Sequence, residues 1–270
     1  MSIPAHGAIV RGDDYHYAIG LYRAAQVLTD ATYESVSVED ADGGAFDDIV
    51  LRATDSSGGP HEYDQVKSGV YLEAAIDNDW LLKQRTERGK SPLQHFYATW
   101  ESLTAQGRPF VLRLMSHKNF DHADPILKCI SGTTNRIPRE KLDDLGPRSA
   151  GGKRLKEWAS HLDITVVDLK NFLTAINFVR AEAESSWRDR AGAKLRNAGF
   201  RGDSDAVTLG VDMVRTWVKE GAGIRTRADL QRELTGRNLL AREGELVLAV
   251  NAIDRSALSN AANADFHSAN

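Results

Sequence analysis

Between Tyr33 and Lys67 the chain carries three short β-prone runs separated by two turn signals, and this stretch constrains the fold more than any other. Tyr33 to Glu39 alternates, with Val36 and Val38 on one side and Ser35, Ser37 and Glu39 on the other. That is the period-two pattern of a strand. Asp42-Gly43-Gly44 is a turn, Phe46 to Ala53 reads as a buried strand through Ile49-Val50-Leu51, and Ser56-Ser57-Gly58-Gly59-Pro60 turns the chain again. His61 to Lys67 is the third strand. Turns this short bring each run back beside the last, so the segment predicts an antiparallel meander.

Helical spacing flanks the meander on both sides. Tyr15, Ile19, Tyr22, Ala25 and Val27 give an apolar stripe over Tyr15 to Leu28, with Gly12-Asp13-Asp14 as the preceding loop and N-cap. Leu93, Phe96, Tyr97, Trp100 and Leu103 share a second helical face that ends at Gly107, and Pro109 to Met115 then reads as a strand. The order α-β-β-β-α-β predicts an α/β core with a mixed sheet over residues 1–120, rather than a helical bundle. Residues 121–255 read as a helical extension packed on that core. Gly151-Gly152 marks a loop before a helix at Lys153 to His161, and Asp168 caps a helix with Leu169, Phe172, Leu173 and Ile176 on its face. Trp187, Ala191 and Leu195 share one further face, and Ala206, Leu209, Met213, Val214 and Trp217 another. A capping-box variant from Thr226 to Asp229 opens the last helix, and residues 256–270 read as a tail or linker.

Composition narrows the function classes. A single cysteine, Cys129, excludes an internal disulfide and a cysteine-based zinc site. No apolar run approaches the roughly 18 residues of a membrane span, and the first residues show no secretory pattern, so a cytoplasmic protein without a membrane partner is expected. The net charge of −4 is unlike that of a stand-alone nucleic-acid binder. If the ligand is DNA, either a local basic surface must attract it, or several copies or a partner must add affinity.

Glu39, Asp40, Asp42, Asp47 and Asp48 fall within ten positions around the turn between the first two strands. Carboxylates packed this closely repel one another unless they are solvated or hold a cation. On the third strand, alternation points Gln65 and Lys67 to one face and Asp64 and Val66 to the other. Phosphodiester hydrolysis uses this chemistry. Asp48 offers a carboxylate oxygen and Gln65 an amide oxygen to Mg²⁺ (or Mn²⁺), while Lys67 orients water or stabilises charge on the phosphate. Because Gln65 is neutral the site needs a further acid; Glu39 is the first choice and Asp47, which should face away from Asp48, the second. Whether one metal binds or two is open.

Asp48 followed 17 positions later by Gln65-Val66-Lys67 resembles the PD-(D/E)xK nuclease core, with glutamine in place of the second acid. Arg11-Gly12-Asp13-Asp14-Tyr15 opening the first helix, Val38-Glu39 and Asp47-Asp48-Ile49-Val50 are similar to the endonuclease domain of Cap4-type effectors. So is the segment Asp168-Leu-Lys-Asn-Phe172-Leu173 leading to Asn177-Phe178. His16 stands where a glutamine often follows the helix-opening tyrosine. The resemblance implies a restriction-endonuclease-like fold and Mg²⁺-dependent cleavage of double-stranded DNA in anti-phage defence, by a domain that works with a sensor module, fused or separate; the charge argument adds activation by oligomerisation. That sensor would be a cyclic-oligonucleotide binder or a STAND-type ATPase. Two other readings share these residues: a catalytically silent nuclease fold used for assembly or DNA docking, and a nuclease acting on RNA.

Lys83, Arg85, Arg88 and Lys90 form a basic cluster that fits either DNA phosphates or a solvated helix end. His117, Asp121 and His122 follow the fourth strand and read as a surface loop rather than a metal cluster. Trp100 and Trp217 sit at packing positions.

Overall fold

The computed structural model describes residues 5–40, 43–67, 75–84, 86, 89–221 and 223–241, with side chains from Asp14 onward. Helix α1 (Ala5–Thr29) leads into strands β1 (Tyr33–Val38), β2 (Ile49–Ala53) and β3 (His61–Lys67). These pair antiparallel in sequence, as the two turns require: Val38 lies opposite Ile49, and Ile49 opposite Asp64. A short helix α2 (Asn78–Leu82) and helix α3 (Pro92–Ala105) then cross to β4 (Phe110–Ser116). Crossing by a helix returns the chain in the same direction, so β4 pairs parallel with β3, Gln65 beside Leu114 and Lys67 beside Ser116.

The second half is helical but also adds to the sheet. Helices α4 (Arg139–Asp143), α5 (Ala150–Leu162) and α6 (Val166–Ala175) lead to β5 (Ile176–Arg180), which pairs parallel with β4. Helices α7 (Glu184–Asn197) and α8 (Ser204–Lys219) precede a two-residue strand β6 (Arg225–Thr226) and helix α9 (Arg227–Gly236). The sheet order is β5-β4-β3-β2-β1-β6. It is an α/β fold with a mixed six-stranded sheet.

Two apolar cores lie on the two faces of the sheet. Val36, Val38, Ile49, Leu51, Val66 and Met115 face one, built with Ile19 and Leu21 of α1, Trp187 of α7, Val214 and Trp217 of α8 and Leu230 of α9. Val50, Tyr63, Leu112, Leu114, Ile176 and Phe178 face the other, with Phe96 of α3, Trp158 of α5 and Phe172 of α6. Trp100 packs on Phe172, and Trp217 is buried with its indole N–H donating to Glu233 at 2.7 Å.

Several boundaries differ from expectation. Helix α1 begins at Ala5, so Gly12-Asp13-Asp14 lies within it rather than ahead of it. Phe46 is buried in the turn, and β2 starts only at Ile49. Gly151 and Gly152 belong to the first turn of α5, where small size matters: a Cβ on Gly152 would come within 2.1 Å of the Gly146 carbonyl oxygen. The cap of α6 is Thr165, whose hydroxyl receives the Asp168 N–H at 3.1 Å. Leu209, placed on the buried face of α8, is 40% exposed. The capping box of Thr226 and Asp229 is present. Residues 256–270 lie outside the described residues.

Candidate active site

The β2–β3 ladder sets the site. One step beyond the pair Ile49–Asp64, Asp48 comes opposite Gln65. Asp48 Oδ2 accepts from the Gln65 Nε2 and, at 2.6 Å, from the backbone N–H of Val66. Gln65 is 5% exposed, while Asp48 and Lys67 are half-buried. Alternation along β3 holds: Val66 packs into the core beneath α1, and Asp64 binds Arg23 and Arg113 on that same side. Gln65 and Lys67 therefore share the opposite face.

The five acids of the turn separate into distinct roles. Asp40 is bound to Arg52 and receives the Ser37 hydroxyl. Asp42 lies outside the described residues. Glu39 continues the β1–β2 ladder, its N–H donating to the Asp48 carbonyl at 3.0 Å, and is exposed in the left-handed region at φ 55°. Asp47 is pushed above the ordinary carboxylate range by burial first, then by the Asp48 charge, with Glu39 adding to this and Lys67 opposing it. The charges of Asp47, Asp48, Glu39 and Lys67 therefore act on one small region.

Helix α1 reaches this region through a residue that sequence reasoning did not assign to it. His16 Nε2 lies 2.9 Å from the Asp48 carbonyl oxygen. Since a carbonyl only accepts, that ring nitrogen carries the proton. The signal was the contact order itself: α1 must cover the meander it precedes, and a polar residue beside its apolar stripe meets the strand end.

A second unassigned feature is a buried ionic group beneath β3. Arg23 of α1 contacts Glu62 at 3.1 Å and Asp64 at 2.7 Å, and Arg113 of β4 contacts the same two carboxylates at 2.7 and 3.1 Å. The Tyr33 hydroxyl donates to Glu62 at 2.6 Å. Two cations balance two anions, which is what allows Asp64 to be fully buried. The alternation that places Gln65 and Lys67 on one face puts Glu62 and Asp64 on the other, so unpaired acids on a core face were the available clue.

The remaining candidates are dispersed. Lys83 and Lys90 are exposed, and Arg85 and Arg88 lie outside the described residues. His117 bonds the Glu182 carbonyl at 2.7 Å and packs tilted against the Tyr15 ring, while Asp121 accepts the N–H of Ala123. Among the described residues, no group of three or more His, Cys, Asp or Glu side chains is placed to hold a metal, and no helix is long and apolar enough to cross a membrane.

The donor set nonetheless fits Mg²⁺ in one respect. Mg²⁺ binds through one or two carboxylates, keeps much of its water and takes further oxygens from substrate. Asp48 and Gln65 are hard-oxygen donors already in contact. Turning the Gln65 amide by 180° exchanges its nitrogen for its oxygen, and a cation between the two oxygens would make that orientation favourable.

No protein-family model matches this sequence, and no curated protein matches it. Among solved structures, it is similar to the Acinetobacter baumannii Cap4 SAVED/CARF-domain containing receptor with the cyclic trinucleotide 3'3'3'-cAAA. The TM-score is 0.41 and the identity 12%, over 87% of this chain and 48% of that one. The Moraxella osloensis Cap4 SAVED/CARF-domain containing receptor gives a TM-score of 0.42 at 12% identity, over 80% of this chain and 45% of that one. This chain thus spans just under half the length of either receptor. These proteins are named for a sensor domain, and DNA cleavage is not part of that description.

Proposed function

We propose that this chain is a metal-dependent endonuclease of double-stranded DNA with low sequence specificity, acting as an effector in anti-phage defence. The observation that carries the reading is the convergence of Asp48, Gln65 and Lys67 at one end of the β2–β3 ladder, with Asp48 bonded to Gln65 and Lys67 on the same face. The defence role rests on the sequence resemblance to Cap4-type effectors.

Asp48 and Gln65 are the residues that would hold Mg²⁺ or Mn²⁺, and Glu39 is an exposed acid one strand away. When bound, the ion would polarise the phosphoryl oxygen and make its water a better nucleophile. Lys67 sets its ammonium beside the phosphate, where it offsets negative charge growing in the transition state. His16 and the Glu39 N–H hold the Asp48 backbone, so the carboxylate stays fixed while substrate arrives. Activation by self-association or by a sensor module, fused or separate, belongs to the same proposal.

The test is cleavage of a plasmid and of a linear duplex with Mg²⁺ or with chelator, for the wild type, Asp48→Ala and Lys67→Ala. Each substitution is expected to cost roughly 100-fold or more in rate, with the fold intact by circular dichroism. Equal cutting by all three removes the catalytic assignment. Duplex binding without cutting in any metal supports a silent docking module instead, and cutting of RNA alone moves the substrate class.

A further inference from the structure

The parallel half of the sheet ends on a rung that extends the site toward β5. In register, Lys67 lies beside Ser116 and Ser116 beside Arg180. Side chains on one rung share one face, and Gln65, Leu114 and Phe178 occupy the rung before on that same face. Two strand spacings put Lys67 and Arg180 about 10 Å apart at Cα. Between them on the rung stands Ser116, small and fully buried, its hydroxyl accepting the N–H of Lys118. No acid interrupts the rung.

Arg180 differs from most arginines of the chain in what it touches. Those at positions 23, 52, 108, 113, 139, 154, 188, 190, 201, 215, 225 and 232 contact carboxylates. Arg180 is exposed and, among the described residues, its guanidinium has neither ion pair nor hydrogen bond. Arg148 and Arg237 are also unpaired, but Arg237 follows α9 behind the opposite sheet edge. An unpaired guanidinium on the same rung as the candidate catalytic lysine, at the carboxyl ends of parallel strands, is placed where such sheets take ligands.

We propose that Arg180 is a phosphate-binding residue, which grips the nucleic-acid backbone beside the phosphate held at Lys67 and so sets the path of the strand across β3, β4 and β5. A guanidinium matches two phosphate oxygens with parallel N–H donors and reads no base, in keeping with low sequence specificity. This inference rests on the nucleic-acid reading of the Asp48 site.

The experiment measures binding of a fluorescein-labelled mixed-sequence duplex by anisotropy across a salt series, with Ca²⁺ replacing Mg²⁺. Arg180→Gln is expected to weaken binding roughly three- to tenfold at low salt. It should also lower the slope of log affinity against log salt by about 1. Arg180→Lys should restore the slope, and Arg237→Gln should match the wild type. An unchanged slope in Arg180→Gln, or a wild type that does not bind the duplex, overturns the proposal. Failure of the nuclease reading shows separately: a wild type that binds with the Arg180-dependent slope but never cuts keeps the phosphate contact and loses the catalysis.

Discussion

At the scale of single residues, the buried ionic group beneath β3 sets the strongest local constraint. Arg23 holds Glu62 and Asp64 from α1 while Arg113 holds them from within the sheet. Removing one guanidinium leaves two buried carboxylates with one cation. Arg23→Met should therefore lower unfolding free energy by about 3–5 kcal/mol, measured by urea denaturation at neutral pH. A loss near zero would mean that Arg113 alone suffices. The same group predicts a pH dependence. Burial pushes the Glu62 carboxyl up, but the Arg113 hydrogen bond and the charges of Arg23 and Arg113 outweigh it, leaving the carboxyl below its ordinary 4.5. A folded value below the unfolded one gives stability that is full above the unfolded pKa and is lost as pH falls through the folded one. Wild-type stability should thus drop as pH passes down through 4.5, and Arg23→Met should show a shallower drop over the same interval.

At the scale of elements, the meander and its flanks were legible because period-two alternation and glycine-rich turns are local signals. Tyr33 to Lys67 carries both, and the three strands pair in the expected order, although β2 starts at Ile49 rather than Phe46. The Asp48–Gln65 pairing was legible for the same reason, since two short turns leave little freedom of register. What stayed hidden depends on contacts distant in sequence. Strand β5 is five residues ending a helical run, and it becomes a strand because β4 offers an open parallel edge. The early start of α1 was missed because Gly12 is a poor helix former, and a glycine-aspartate run ordinarily signals a cap. His16 was invisible as a site residue because its partner is a backbone carbonyl 32 positions away. That contact depends on how α1 is seated. Gly20 of α1 faces α8, and a Cβ there would lie 2.9 Å from a methyl of Val214, itself fully buried. Gly20→Leu should push the helices apart and cost about 1–3 kcal/mol in chemical denaturation. If His16 positions Asp48 through α1, the variant should also cut more slowly under conditions where it remains folded. Full activity in a destabilised Gly20→Leu protein would separate helix seating from the site.

At the scale of the whole molecule, charge and the nuclease proposal pull against each other. A chain of net charge −4 approaches an anionic polymer against its own field. Among the described residues, internal ion pairs engage most of the arginines, while Lys67 and Arg180 share the rung at the site. Phosphate contacts supply most of non-specific affinity, so a single copy with so few of them should bind weakly at physiological salt. Joining two copies converts the second engagement into an intramolecular event at millimolar effective concentration, and avidity of that kind can raise affinity by about 10²–10⁴. Cleavage should accordingly rise more steeply than in proportion to protein concentration. Fusion to a two-stranded coiled coil should increase the rate at low protein concentration by at least about tenfold, provided the linker lets both sites reach one duplex. Initial rates of plasmid nicking over a hundredfold concentration range would decide it. A strictly linear dependence, with no gain from the fusion, would show that one copy binds its substrate well enough alone, and the source of its affinity would then have to lie outside the Lys67–Arg180 rung.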